Sequence, residues 1–167
     1  MDRIENSLDR IENSLDRIEN YLDHMEGRDL EREIMAEPRA FVRRKDMIGV
    51  RAVSSNERYE LSAHLIEPEE SELDLLDVIL EGTTHEGEHV YVAVEASVTG
   101  DDRNIQRAHT RALLLAKATN SRVLPLVVCD EEPKQQLIAL AQQHQVALAR
   151  KQRGVFLQAP LTSFNPT

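Results

Sequence analysis

The chain has 167 residues and a formal net charge of −10, with 41% hydrophobic and 30% charged residues. That length allows one ordinary domain plus an appendage, and such acidity argues against loose nucleic-acid binding, which rests on basic charge, while leaving room for a local basic patch. Cys129 is the only cysteine, which excludes an internal disulfide and points to a reducing, cytoplasmic setting. No apolar run approaches the ~20 residues of a membrane span, and the acidic, polar start does not read as a signal peptide.

Residues 2–22 are three near-identical heptads, DRIENSL, DRIENSL and DRIENYL, and DHME begins a fourth. Ile4, Leu8, Ile11, Leu15, Ile18, Leu22 and Met25 follow one another at alternating steps of four and three, which is a coiled-coil seam. Leu occupies position a and Ile position d, a choice that shifts parallel coils from dimers towards trimers and tetramers. So short a helix is marginal alone in water. A homo-oligomer is therefore expected, with a tetramer favoured over a trimer or dimer. The other reading is an amphipathic helix folded back on its own domain. Residues 2–26 carry eight acids against three arginines, half the charge of the whole chain. Residues 1–27 read as this oligomerisation helix, with Gly27 as its end.

Residues 28–55 read as a helical linker with a break or bend at Pro38. Arg43, Arg44 and Lys45 form a small basic cluster within it, read as a solvated helix end or a phosphate contact. Gly49 to Asn56 reads as a loop, and Ser55 or Asn56 can cap the helix that follows. That helix carries Glu60 and ends at Pro68. From Glu60 to Glu88 there are ten acids and no Lys or Arg.

Two strands follow, roughly 76–81 and 89–99, joined by a polar Gly87-containing turn. Antiparallel pairing about Glu86 sets Asp77 opposite Glu95. Cross-strand neighbours on one face have Cβ atoms ~5 Å apart. Two carboxylates would then sit side by side among Val, Ile, Leu and Ala, and they repel unless a cation or a proton lies between them. Both faces of the second strand are largely apolar, as in a strand covered on both sides.

Gly100 turns, Asp101 or Asp102 caps, and a helix runs to about Ala118. Arg103, Arg107 and Arg111 recur every four residues on it, a stripe for solvent or for phosphate. Residues 122–129, RVLPLVVC, read as an apolar strand parallel to the Glu95 strand. A helix from Pro133 to about His144 and an edge strand within QVALARKQ complete the domain, which spans 56–153. Residues 154–167 form a C-terminal tail with two prolines and no periodicity.

Helix, strand, strand, helix, strand, with Asp on the first strand and Glu-x-x on the second, resembles the PD-(D/E)XK superfamily, the restriction-endonuclease-like fold. The resemblance spans roughly residues 56–151. It is carried by Glu60, Asp77, Glu95-Ala96-Ser97 and Gln106. It implies an α/β fold, a mixed sheet flanked by helices, with Mg²⁺ or Mn²⁺ held by Asp77 and Glu95 and Glu60 as an outer ligand. It further implies phosphodiester hydrolysis at Asp77, Glu95 and Ser97. Arg103, Gln106, Arg107 and Arg111 become the contacts to DNA. The chain is also similar to a bacterial subgroup with a preceding coil and Glu-x-Ser, a match that implies no activity of its own.

Ser97 stands where that superfamily has lysine, and no Lys lies between Lys45 and Lys117. Arg103 or His109 is a candidate for the missing cation. Metal alone lowers the pKa of bound water, so two readings stay open. One is a metal-dependent nuclease or nuclease-derived nucleic-acid binder. The other is a non-enzymatic assembly module on the same fold. The six histidines show no metal-ligand spacing. There is no Gly-rich phosphate loop and no Gly-x-Ser-x-Gly element. Trp is absent and aromatics are few, which disfavours a base-stacking binder.

Overall fold

A computed structural model describes residues 2–150 and 156–157. The first element is α1 (Asp2–Ala36), one helix that runs through Gly27 without a break. The seam residues Ile4 to Met25 are 43–67% exposed, so a single chain leaves this stripe uncovered. Beyond Met25 the apolar side changes. Leu30 and Ile34 are fully buried against the sheet. At about 100° per residue, five residues from Met25 to Leu30 turn the stripe by roughly 140°. The exposed seam and the docked stripe therefore occupy different sides of one helix.

The expected helical linker over 28–55 is in fact three elements. The last turns of α1 come first, then a 3-10 turn at Pro38–Ala40, then strand β1 (Ile48–Ala52). Pro38 ends the helix, as its ring requires. The loop expected at 49–56 is mostly strand and helix. β1 scarcely alternates: Val50 is buried, while Ile48, Gly49 and Arg51 are exposed. Gly49 takes a left-handed φ of 63°, and the pairing slips between Ile48 and Arg51. A bulge of this kind hides the period-two signal.

Two short helices follow, α2 (Ser55–Ser62), capped by Ser54, and α3 (Glu69–Asp74). The hairpin β2 (Val78–Thr83) and β3 (His89–Ser97) pairs antiparallel with Val78 opposite Val94. This is the register expected from the turn. Helix α4 (Asp102–Thr119) starts at a capping box formed by Asp101 and Asn104. Strand β4 (Val123–Cys129) lies parallel to β3. Helix α5 (Gln135–Gln143) and strand β5 (Ala147–Arg150) continue the pattern, β5 parallel to β4. The two-residue β6 (Phe156–Leu157) pairs antiparallel with β5, which is therefore not the sheet edge. The rest of the tail expected from residue 154, like residues 151–153 of the domain, lies outside the described residues.

The protein is mixed α/β: one sheet in the order β1-β2-β3-β4-β5-β6, covered on both faces. Alternate side chains divide between the faces. Val78, Leu80, Val92, Val94, Leu124 and Leu126 meet α1 on one side. Ile79, Ala93 and Val123 meet α4 and the turns before β2 on the other, and α5 packs over Val127 and Leu148. The ends of β3 and β4 are thus held between two apolar layers. Among the described residues no helix is long and apolar enough to cross a membrane.

Candidate carboxylate site

Asp77 precedes β2 and Glu95 lies near the carboxyl end of β3. Register brings them together, and their side chains share a hydrogen bond. Asp77 Oδ2 also accepts the Ala96 N–H at 2.8 Å, which fixes that carboxylate to the neighbouring strand. A third carboxylate joins from the other layer. Glu31 of α1 hydrogen-bonds to Asp77, making Asp77 the middle member of a chain of three.

Two arginines compensate this charge. Arg111 of α4 is buried and ion-paired to Glu95 Oε1. Its Nε donates to Glu72 at 3.1 Å and its Nη1 to the Leu75 carbonyl at 3.2 Å. Arg58 of α2 donates to the carbonyls of Leu76 at 2.5 Å and Asp77 at 3.3 Å. Burial pulls the Arg58 pKa down, while Asp74, Asp77, Glu31 and Glu95 oppose that.

The acids respond to the crowding. Burial first, then Asp77, pushes Glu95 up to about 8, with Arg111 opposing. Burial and Asp77 raise Glu31 to about 7, with Arg28 and Arg58 opposing. At neutral pH these groups therefore share protons rather than standing fully ionised. A cleft of about 360 Å³ opens at the carboxyl end of β3, lined by His24, Arg28 and Glu31 of α1 and by Ser97 and Thr99; of the three acids Glu31 is the one on its wall. Open α/β sheets bind ligands at the carboxyl ends of their strands.

The other expected site residues are placed as follows. Glu60 is exposed on α2 and no described contact links it to Asp77 or Glu95; Glu31 is the third carboxylate instead. Ser97 is half-buried and its Oγ accepts the Gly100 N–H at 3.1 Å, holding the turn into α4. Arg103, Gln106 and Arg107 are exposed on α4. Arg111 leaves that stripe, because each step of four residues rotates about 40° further. Eight residues after Arg103 the side chain faces the sheet, so its guanidinium is committed to Glu95 and Glu72 rather than to phosphate. Neither Arg103 nor His109 supplies the cation beside the pair; Arg111 does. His109 instead lies against His144, ring centroids 5.9 Å apart.

Glu31 and Arg58 escaped the sequence reading, yet each leaves a trace. Arg58 is the only Lys or Arg between Arg51 and Arg103, a lone cation beside an acidic run. Glu31 sits between Leu30 and Ile34, where the helix stripe leaves the heptad register. Among the described residues no group of three His, Cys, Asp or Glu side chains is placed to hold a metal ion as it stands. No family model, curated protein or solved structure matches the chain.

Proposed function

We propose that this is a restriction-endonuclease-like module, derived from the PD-(D/E)XK superfamily, directed at nucleic-acid phosphodiesters and carried on a homo-oligomeric coil. The observation that carries this reading is the meeting of Glu31, Asp77 and Glu95, with Glu31 on the wall of a cleft at the carboxyl end of β3. The donors are all carboxylate oxygens, the ligands that Mg²⁺ and Mn²⁺ prefer. Mg²⁺ keeps much of its water and takes only one or two protein carboxylates, so Asp77 and Glu95 suffice. Asp77 and Glu95 would hold a divalent ion, which when bound would supply charge against a phosphoryl oxygen and a more acidic water. Asp77 is oriented by the β3 backbone and Glu95 by Arg111. Arg111 brings positive charge from α4 in place of the lysine absent at Ser97. Arg103, Gln106 and Arg107, exposed on α4, are the proposed contacts to the phosphate backbone.

Metal binding should displace the shared protons. Calorimetric titration of Mn²⁺ at pH 7, in two buffers of different ionisation heat, is expected to show binding with proton release. Asp77→Asn and Glu95→Gln should abolish it. Absence of heat in the wild type overturns the reading. Nicking of supercoiled DNA with Mn²⁺, lost in Asp77→Asn, then separates an active enzyme from a binder.

A second reading, the non-enzymatic assembly module, is favoured by the closed Glu95–Arg111 pair and by the structural role of the Ser97 hydroxyl. On that reading the plasmid stays intact and the coil alone sets copy number.

A further inference from the structure

The outer edge of β1 has no strand partner among the described residues, since β1 ends the sheet order. Two crevices flank it. One, of about 650 Å³, is lined by Val42, Met47 and Ile48 with Arg39, Arg43 and Arg44. The other, of about 490 Å³, lies against Met35, Pro38, Arg51 and Ala52. Arg39 and Val50 line both, so the crevices adjoin along the strand. Its floor is apolar and partly open to water: Ile48 is 44% and Met35 47% exposed.

The charge of this groove opposes that of the molecule. Arg39, Arg43, Arg44, Lys45 and Arg51 face one acid, Asp46, within residues 39–51 of a chain whose net charge is −10. Glu37 is the only acid that lines either crevice. Some of the cations are satisfied internally: Arg43 pairs with Asp46 at 2.8 Å and Arg51 with Glu57 and Glu81. Arg39 and Arg44 are exposed and have no ion pair among the described residues. The Arg44 carbonyl is hydrogen-bonded to His85 Nε2 at 2.7 Å, which ties the basic loop to the β2–β3 turn.

A free strand edge, an apolar floor and an arginine rim together match one kind of occupant. We infer that the β1 edge is a docking groove for an acidic, extended peptide, which adds to the sheet as a strand, sets alternate apolar side chains on the exposed Met35 and Ile48, and meets Arg39 and Arg44 with its carboxylates. Strand addition draws affinity from main-chain hydrogen bonds and specificity from alternate side chains. A nucleic-acid backbone would use the arginines but has no need of the apolar floor, so the peptide is favoured. The carboxylate site plays no part in this inference.

The test uses the full chain and a capped, fluorescein-labelled seven-residue peptide of alternating Glu and Val. Binding by anisotropy is expected, with at least tenfold weakening on replacing Glu by Lys, or Val by Gly, in the peptide. The surface variant Arg39→Glu/Arg44→Glu should weaken it tenfold or more at unchanged melting temperature. Hydrogen exchange over residues 48–52 should slow on adding peptide. Any of four results overturns the proposal: no binding at 1 mM; equal binding of the Lys peptide; binding without slowed exchange in β1; or a thymidine 20-mer binding tighter through the same arginines. Slow exchange in β1 that depends on protein concentration without peptide also overturns it, by assigning the edge to a second copy.

Discussion

Glu95 is 2% exposed among Val and Ala side chains, and an unpaired charge at such a place is expensive. Arg111 compensates it from the opposite element, and the pair is worth most when judged by its removal. Arg111→Met leaves a buried carboxyl without its cation and should cost about 3–5 kcal/mol in urea unfolding. Glu95→Leu with Arg111→Leu should recover most of that loss, since an apolar pair of similar volume replaces a buried ion pair at little cost. A single variant as stable as the wild type would mean the ion pair does not form. The pH dependence follows from the same burial. Glu95 moves from 4.5 to about 8 and Glu31 from 4.5 to about 7 on folding. The folded chain then binds more protons than the unfolded chain between those values, so this contribution to stability falls as pH rises from about 4.5 to 8 and is flat above. In thermal melts from pH 5 to 8, Glu31→Gln/Glu95→Gln should gain on the wild type steadily with pH. Parallel curves for the two proteins would contradict the proton sharing. The Asp77–Glu95 contact was legible in the sequence because a hairpin turn fixes register by counting residues. Glu31 was not, because its meeting with Asp77 joins elements separated by more than forty residues and depends on how a helix is rotated against a sheet. The sequence points to Glu60 as the third acid, but α2 lies with Glu60 in solvent.

Helix α1 carries two apolar stripes at the level of the element, one exposed and one docked, and they lie on different sides. The heptad stripe ends at Met25, and the docked stripe of Leu30 and Ile34 begins on another side. Gly27 sits between the two, with nothing within 4 Å of where a Cβ would be. Its expected role as the end of the helix fails because glycine in mid-helix lowers stability without breaking the hydrogen-bond ladder. Gly27→Ala should therefore stabilise the protein by about 0.5–1 kcal/mol in thermal unfolding. A loss of stability would show that α1 needs to bend there. Propensity and period made most other elements readable: α4 by its cap and apolar spacing, β4 by its unbroken apolar run. β1 reads as a loop because a strand of five residues with a bulge and a positive-φ glycine shows too little alternation to outweigh the glycine's turn signal.

At the scale of the molecule, the exposed seam and the sheet domain are joined by one continuous helix but rest on different forces. The domain's layers bury their own apolar surface. The seam from Ile4 to Leu22 is at least half exposed in the single chain, and on the proposed coiled-coil reading other copies would bury it. A helix stabilised by association melts at a temperature that rises with protein concentration, whereas a packed domain melts at a fixed one. Circular dichroism at 222 nm is therefore expected to show two transitions, only the first shifting with concentration. Leu15→Asp should remove the first, leave the second in place, and convert the oligomer to monomer in sedimentation. Electrostatics adds a sign. Glu5, Glu12, Glu19 and Glu26 recur at the e position, while the g positions carry Ser7, Ser14, Tyr21 and a single cation, Arg28. Adjacent chains in a parallel coil meet mostly acid against uncharged side chains, within a repeat of strong negative charge. Salt screens such repulsion over roughly 8–10 Å at physiological strength, so raising NaCl should raise the first transition. The β1 groove binds through opposite charges and should weaken under the same change. A first transition that falls with salt, or one indifferent to protein concentration, would assign the seam to a contact within its own chain.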